Sequence, residues 1–329
     1  MPERKPACMS LPRVLVTRKL PADVEARLKR DYAPLLNEED RLFSAGELAA
    51  RAEGMDAVLA TVTDKLDAAA INALPGSVRI IATFSVGYDH IDVAAAAQRG
   101  ITVTNTPGVL THATADITLL LILGAARGAG WGEAMIRQKT WQNWAPSGPL
   151  GTDVTGKRLG ILGMGRIGQA VAARARAFGM EIHYHNRSRL SEAEEQGARY
   201  HESPEALFAQ SDILSINCAS TSQTRGLVNA RTFTLLPEGA IVVNSARGDI
   251  VDDEALIAAL KSGKVAAAGL DVYAGEPDIH PGYRGLSNTF LLPHLGSATR
   301  ETRNAMGFCA LDNLDAFFAG KAPPNPVTP

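Results

Sequence analysis

Residues 157–188 read KRLGILGMGRIGQAVAARARAFGMEIHYHNRS, and this stretch decides the fold. A short apolar strand (158–162) runs into Gly163, Gly165 and Gly168, then an Ala-rich helical segment, then a second strand (181–185). In the G-x-G-x-x-G turn the first glycine permits the tight bend and the second lets the backbone approach a pyrophosphate. The third lets the helix pack close to the strand. The helix N-terminus adds free N–H groups and a partial positive charge for the phosphates. The spacing alone is a weak signal, but strand, helix and second strand following in order turn it into a dinucleotide fingerprint, with Met164, Arg166 and Ile167 filling the turn.

Where the second strand ends, an NAD site normally carries Asp or Glu for the ribose hydroxyls, whereas this chain has Asn186, Arg187 and Ser188. A guanidinium pairs bidentately with a 2′-phosphate that a carboxylate would repel, and a serine hydroxyl adds a bond. The expected cofactor is therefore NADP, with NADPH preferred. If Arg187 is only a solvated loop arginine, NAD is accepted as well.

Working outward, short aliphatic runs alternate with Ala-rich stretches over most of the chain, as parallel βαβ units do. Strands are expected at 13–16, 56–62, 78–83 and 101–104, with helices at 22–32 and 92–99, forming a small first α/β unit. After a helix at 113–127 comes a Gly-, Pro- and Trp-rich loop, 128–157. A second series follows at 158–162, 181–185, 212–217, 240–244, 265–270 and 289–292, six strands making a complete doubly wound sheet. A last helix, 301–319, precedes a Pro-rich tail and is expected to return to the first unit. The fold class is α/β, with two Rossmann-like doubly wound parallel-sheet domains and a cleft between them. The substrate-binding domain is discontinuous, 11–107 and 297–329; the dinucleotide-binding domain is 108–296.

A chain of 329 residues exceeds what one core usually serves. The 33 basic and 35 acidic side chains leave a net charge of -2, with no electrostatic footprint for nucleic acid or anionic membrane. No apolar run reaches the roughly 18 residues of a membrane span. Small molecules are the expected partners. Cys8, Cys218 and Cys309 are odd in number and far apart, which suggests neither a disulfide framework nor a zinc site. The N-terminal MPERKPACMS reads as a disordered tail without a secretory signal, and the expected location is cytoplasmic.

Three polar motifs sit at strand ends, where open α/β sheets bind ligands: NSARGD (244–249), GLDVYAGEP (269–277) and LPHLGSAT (292–299). Reduction of a 2-keto acid needs a cation for the carboxylate, a hydride donor, and an acid for the developing alkoxide; Arg247, a nicotinamide and His294 suit these roles. With SVGYDHID (85–92), TNTPGVLTHATAD (104–116) and the glycine loop, the chain resembles the D-isomer-specific 2-hydroxyacid dehydrogenases over about residues 11 to 320. Within that family it is most similar to the glyoxylate/hydroxypyruvate reductases.

That resemblance implies that His294 moves the proton and Glu276 hydrogen-bonds it, favouring imidazolium near neutral pH. It implies that Arg247 holds the substrate carboxylate and that the N–H groups of Val86 and Gly87 cradle it, so that catalysis requires closure. Thr114, Cys218, Ala219, Ala246, Asp271 and Gly296 fall to the cofactor wall, Asp271 near the nicotinamide carboxamide, although a structural carboxylate is the other reading of Asp271. Trp141 is expected to reach a neighbouring subunit's substrate pocket, or else to anchor an interface; either implies a homodimer. An isolated histidine is more often structural, and only the context of LPHLGSAT with Glu276 upstream singles out His294. His112, His183, His185, His201 and His280 lack such context. The expected reaction is NADPH-dependent reduction of glyoxylate to glycolate and of hydroxypyruvate to D-glycerate. A reductase of larger 2-keto acids, such as 2-keto-D-gluconate or aryl pyruvates, has the same chemistry. A dinucleotide-sensing corepressor-like binding protein is the alternative from another class. Formate dehydrogenase shares the fold, but a glutamine would stand where this chain has Glu276.

Overall fold

The computed structural model describes residues 11–329; the expected tail 1–10, with Cys8, lies outside the described residues. In chain order the first elements are β1 (Arg13–Val16), α1 (Ala22–Asp31), β2 (Ala33–Leu35), α2 (Ala45–Arg51), β3 (Ala57–Ala60), α3 (Ala68–Ala73), β4 (Ile80–Thr83), α4 (Val93–Gln98) and β5 (Thr102–Thr104). Next come α5 (Thr111–Arg127), α6 (Ala129–Arg137), β6 (Arg158–Leu162), α7 (Arg166–Ala177), β7 (Glu181–His185), α8 (Glu192–Glu195), β8 (Arg199–Tyr200), α9 (Pro204–Phe208) and β9 (Ile213–Ile216). The chain then runs through α10 (Ala230–Leu235), β10 (Ala240–Asn244), α11 (Asp253–Ser262), β11 (Val265–Leu270) and β12 (Thr289–Leu291), and ends with α12 (Arg300–Phe318) and β13 (Pro326–Val327). Two compact units result: residues 11–110 together with Thr299–Pro329, and Thr111–Ala298.

In the second unit seven strands lie in the order β12-β11-β10-β9-β6-β7-β8, all parallel. β9 (ILSI) and β10 (AIVVN) are buried along their whole length, the continuous apolar run of a strand covered on both faces. One face packs Leu121 and Ile122 of α5 and Val171 and Ala172 of α7 against Leu159 and Ile161. The other packs Leu256 and Leu260 of α11 and Phe233 of α10 against Leu214 and Val242. The winding reverses between β6 and β9, and a doubly wound sheet opens its binding crevice at the carboxyl ends of the strands flanking that reversal. Gly163 follows β6 and Cys218 follows β9, so the glycine turn sits at that point.

The first unit has six strands in the order β13-β5-β4-β3-β1-β2, parallel except for β13 against β5. Val24 and Leu28 of α1 and Leu311 and Leu314 of α12 share a core on one face, so the last helix returns to complete this unit. Ile71 of α3 and Ala96 of α4 cover the other face.

Four expectations need correction. The first sheet has six strands rather than four, because β2 and β13, three and two residues long, are edge strands held by a neighbour's ladder and too short to carry a periodicity. The second has seven rather than six for the same reason, β8 being two residues. The loop 128–157 is not wholly irregular: α6 begins where Gly128 takes φ +63°, and it buries none of its residues, so no core-facing stripe marks it in the sequence. The unit boundaries fall at 110/111 and 298/299, not 107/108 and 296/297, because each lies at a helix start, α5 at Thr111 and α12 behind its Thr299 cap.

Candidate active site

Two of the three glycines in the loop are demanded by the chain itself. Gly163 has φ +96°, and a Cβ there would stand 2.5 Å from the Cys218 backbone N; one on Gly168 would stand 2.5 Å from the Gly163 carbonyl oxygen. Gly165 differs, since a Cβ on it would meet no protein atom within 4 Å, so no neighbour within the fold requires its lack of a side chain. Gly165 caps α7 without any side-chain bond to the first turn, which leaves that helix start for an anion. Both features fit a dinucleotide pyrophosphate, with Met164, Arg166 and Ile167 around it.

At the end of β7 the Asn186 side chain closes onto this loop, its Oδ1 accepting from Met164 N at 2.6 Å and its Nδ2 donating to Met164 O at 3.4 Å. Asn186 therefore braces the turn. Arg187 and Ser188 form the exposed tip beyond it. The tip is anchored from behind: Arg189 pairs with Glu195 at 2.7 Å, and Tyr184 Oη donates to Glu195 at 2.6 Å while accepting from Leu190 N. The Arg189 and Tyr184 bonds hold the Glu195 carboxyl down at about 2, so it stays ionised and engaged. Cys218 is a thiol, pushed up to about 11 by burial, and not an activated nucleophile. Ala219 receives the Thr224 hydroxyl on its carbonyl at 2.7 Å.

His294 lies in a turn after β12 with φ +55°, a left-handed conformation that costs a histidine about 1–2 kcal/mol. Asp271, at the end of β11, holds that turn at three points. Its carbonyl accepts from His294 N at 2.8 Å, Oδ1 from Leu295 N at 2.6 Å, and Oδ2 from Gly296 N at 2.7 Å. Thr114 of α5 adds a bond to the Gly296 carbonyl at 3.1 Å. Asp271, Thr114 and Gly296 thus come together, each Asp271 oxygen accepting from one backbone N–H group. Burial pushes the Asp271 carboxyl above the usual carboxylate range despite these bonds.

Glu276 Oε2 lies 2.7 Å from His294 Nδ1, and Oε1 accepts from Tyr273 N at 2.8 Å. Burial would raise the Glu276 carboxyl, yet the His294 bond and charge, the Tyr273 N–H and the Arg247 charge together pull it below its ordinary value. An ionised carboxylate only accepts, so His294 Nδ1 carries the proton of that bond and Nε2 is left for chemistry. Arg247 is held by Asn244, whose Nδ2 donates to the Arg247 carbonyl at 2.8 Å while Oδ1 accepts from Ala246 N at 3.0 Å. The turn after it is fixed by close packing, for a Cβ on Gly248 would overlap the Tyr273 carbonyl carbon.

In the other unit, Val86 and Gly87 follow β4, half-buried, with Asn105 Nδ2 donating to the Val86 carbonyl at 2.8 Å. Trp141 is 55% exposed and Trp144 78%, beside exposed Ile136 and Leu150. The residues missed from sequence are Asn244, Tyr273, Ser85 and Asn105. All lie inside the quoted motifs, but each acts through backbone, which spacing does not reveal.

A family model described as D-isomer specific 2-hydroxyacid dehydrogenase, NAD binding domain, matches residues 119–296. The chain is 44% identical over 314 residues to a glycerate dehydrogenase of Hyphomicrobium methylovorum, covering 95% of this chain and 98% of that protein. It is 42% identical over 321 residues to a glyoxylate reductase of Thermococcus litoralis, covering 96% of each. Among solved structures, an NADPH-dependent glyoxylate/hydroxypyruvate reductase from Sinorhizobium meliloti, in complex with NADP and malonate, superposes with a TM-score of 0.87 at 36% identity, covering 97% of each chain.

Proposed function

Because this chain belongs to the D-isomer specific 2-hydroxyacid dehydrogenase family and carries its NAD(P)-binding domain, we propose that it reduces glyoxylate to glycolate and hydroxypyruvate to D-glycerate with NADPH. The observation that carries the reading is the 2.7 Å bond between His294 and an ionised Glu276 that also feels Arg247. A nicotinamide held there would supply the hydride for C2 of the keto acid. His294 gives its Nε2 proton to the carbonyl oxygen as the alkoxide develops, and Glu276, bonded to Nδ1, orients the ring throughout. Arg247 holds the substrate carboxylate and draws charge from the carbonyl, and in the other unit the Val86 and Gly87 N–H groups are donors of the kind a carboxylate takes.

Gly163, Gly165, Gly168 and the start of α7 take the pyrophosphate, and Thr114, Cys218, Ala219, Ala246 and Gly296 form the remaining wall. NADPH is preferred because Arg187 and Ser188 stand exposed where a ribose-binding carboxylate would be, and the nearby Glu195 is tied up by Arg189 and Tyr184. The exposed Ile136, Trp141, Trp144 and Leu150, which line one pocket, support a homodimer that would cover them. Cys218 and Cys309 are free thiols, in keeping with work in the reducing cytoplasm. No single helix among the described residues is long and apolar enough to cross a membrane.

The test is a steady-state panel of glyoxylate, hydroxypyruvate, pyruvate, phenylpyruvate and 2-keto-D-gluconate with both cofactors. His294→Ala and Arg247→Ala should each abolish most turnover while NADPH still binds. Near-normal rates in either variant, or a preference for the larger acids, would overturn the assignment. Sedimentation of wild type and Trp141→Ala decides the dimer.

A further inference from the structure

Three consecutive peptide planes in the turn after β4 are pinned by their carbonyls. The Ser85 carbonyl accepts from Thr106 N at 2.9 Å, the Val86 carbonyl from Asn105 Nδ2 at 2.8 Å, and the Gly87 carbonyl from Ser85 Oγ at 2.6 Å. A trans peptide sets each N–H opposite the carbonyl before it, so the N–H groups of Val86, Gly87 and Tyr88 point away from these partners. None of the three donates to an acceptor among the described residues.

The third pin is the end of a chain whose direction is forced. A carbonyl can only accept, so Ser85 spends its single hydroxyl proton on Gly87 and must accept at its 2.8 Å contact with Thr83 Oγ1. Thr83 in turn spends its proton on Ser85 and must accept at its 3.1 Å contact with His90 Nε2, which therefore carries hydrogen. Thr83 is fully buried and Ser85 nearly so, which keeps water from competing along the line.

We infer that His90, Thr83 and Ser85 form a one-way hydrogen-bond relay which, with Asn105, locks the 85–88 turn as a preorganised carboxylate cradle and adds the Tyr88 N–H as a third donor. The inference rests on the reading that this turn binds the substrate carboxylate. The four side chains are positioning residues, acting only through the backbone they hold. Gly87 is the point that needs them, since without the Ser85 bond the Gly87–Tyr88 peptide plane loses its pin and the Tyr88 donor disperses.

The experiment uses the full chain loaded with NADPH. Ser85→Ala should raise the KM for glyoxylate and the inhibition constant of oxalate together, each by about 3- to 10-fold, the worth of one hydrogen bond, with kcat and the NADPH dissociation constant near wild type. Thr83→Val, which keeps the shape and removes the hydroxyl, should move both constants the same way, and Thr83→Ser should restore them. Unchanged constants in Ser85→Ala and Thr83→Val, or a Thr83→Ser variant as impaired as Thr83→Val, would overturn the relay. If the wild type reduces no 2-keto acid and binds no oxalate, the functional reading fails instead. Amide hydrogen exchange at Thr106, whose N–H donates to the Ser85 carbonyl, then scores the relay alone: acceleration by Ser85→Ala supports it, and unaltered exchange removes it.

Discussion

Replacing Asp271 with Asn tests whether this buried carboxylate serves the cofactor or the histidine turn. The wild-type oxygens accept from Leu295 N and Gly296 N at 2.6 and 2.7 Å; an asparagine offers one oxygen and turns an N–H₂ group toward the other donor. A lost charge-assisted bond and an unsatisfied buried donor cost about 1–3 kcal/mol each. Against that, burial holds the Asp271 carboxyl above its ordinary value despite both bonds, so removing the charge also relieves a desolvation cost. Global stability should therefore change little, by about 1–2 kcal/mol, or a few degrees in Tm. Catalysis has no such compensation. His294 is held at φ +55° only while the turn is pinned, and a displacement of about 1 Å at a reacting group costs about 100-fold. The assay is kcat for glyoxylate beside a fluorescence titration of NADPH: kcat should fall about 100-fold with the NADPH dissociation constant unchanged. A weakened NADPH affinity with kcat preserved would refute the argument and return Asp271 to the carboxamide. The pH dependence has a definite sign. A carboxyl whose folded pKa is raised contributes most below its unfolded value, near 3.9, and loses that contribution as pH rises through the folded one. The stability advantage of wild type over Asp271→Asn should grow as pH falls from 7 to 4.

Glu276→Gln should lower kcat by about 10- to 100-fold, the scale of acid–base assistance; a near-normal kcat would break the coupling to His294. The wild-type Glu276 carboxyl is held low, so its contribution is complete above about pH 4.3 and is lost only as pH falls through the depressed value, which a kcat–pH profile down to pH 4 checks. Arg187→Ala should raise the KM for NADPH by about 10- to 100-fold, the worth of a charge-assisted pair, and leave that for NADH nearly untouched; equal effects on both would make Arg187 a solvated arginine. Gly165→Ala should melt within about a degree of wild type, because its Cβ meets nothing, while Gly163→Ala should lose several kcal/mol at φ +96°; NADPH affinity should fall in Gly165→Ala, and normal affinity there would show that no pyrophosphate lies on that turn.

Much of the second unit is legible in sequence because its strands are buried on both faces and its glycines are required by sterics that act within a few residues. The G-x-G-x-x-G turn, the runs AIVVN and VAAAGL and the Ala-rich helices between them read directly as parallel βαβ. The edge strands β2, β8 and β13 do not, since a two- or three-residue ladder takes its form from a partner far along the chain. Helix α6 escapes notice because it buries nothing.

The residue types proposed for the site, His294, Glu276 and Arg247, follow from the motifs and the family resemblance they carry, because proton transfer and carboxylate binding admit few side chains. Their orientation does not. That Asp271 serves the His294 turn, that Asn186 braces the glycine loop, and that Ser85 and Asn105 hold carbonyls after β4 are facts about backbone groups meeting across turns. A hydrogen bond to a carbonyl leaves no mark on the identity of the residue that owns it, so only the folded chain decides which polar side chains carry the chemistry and which hold the carriers still.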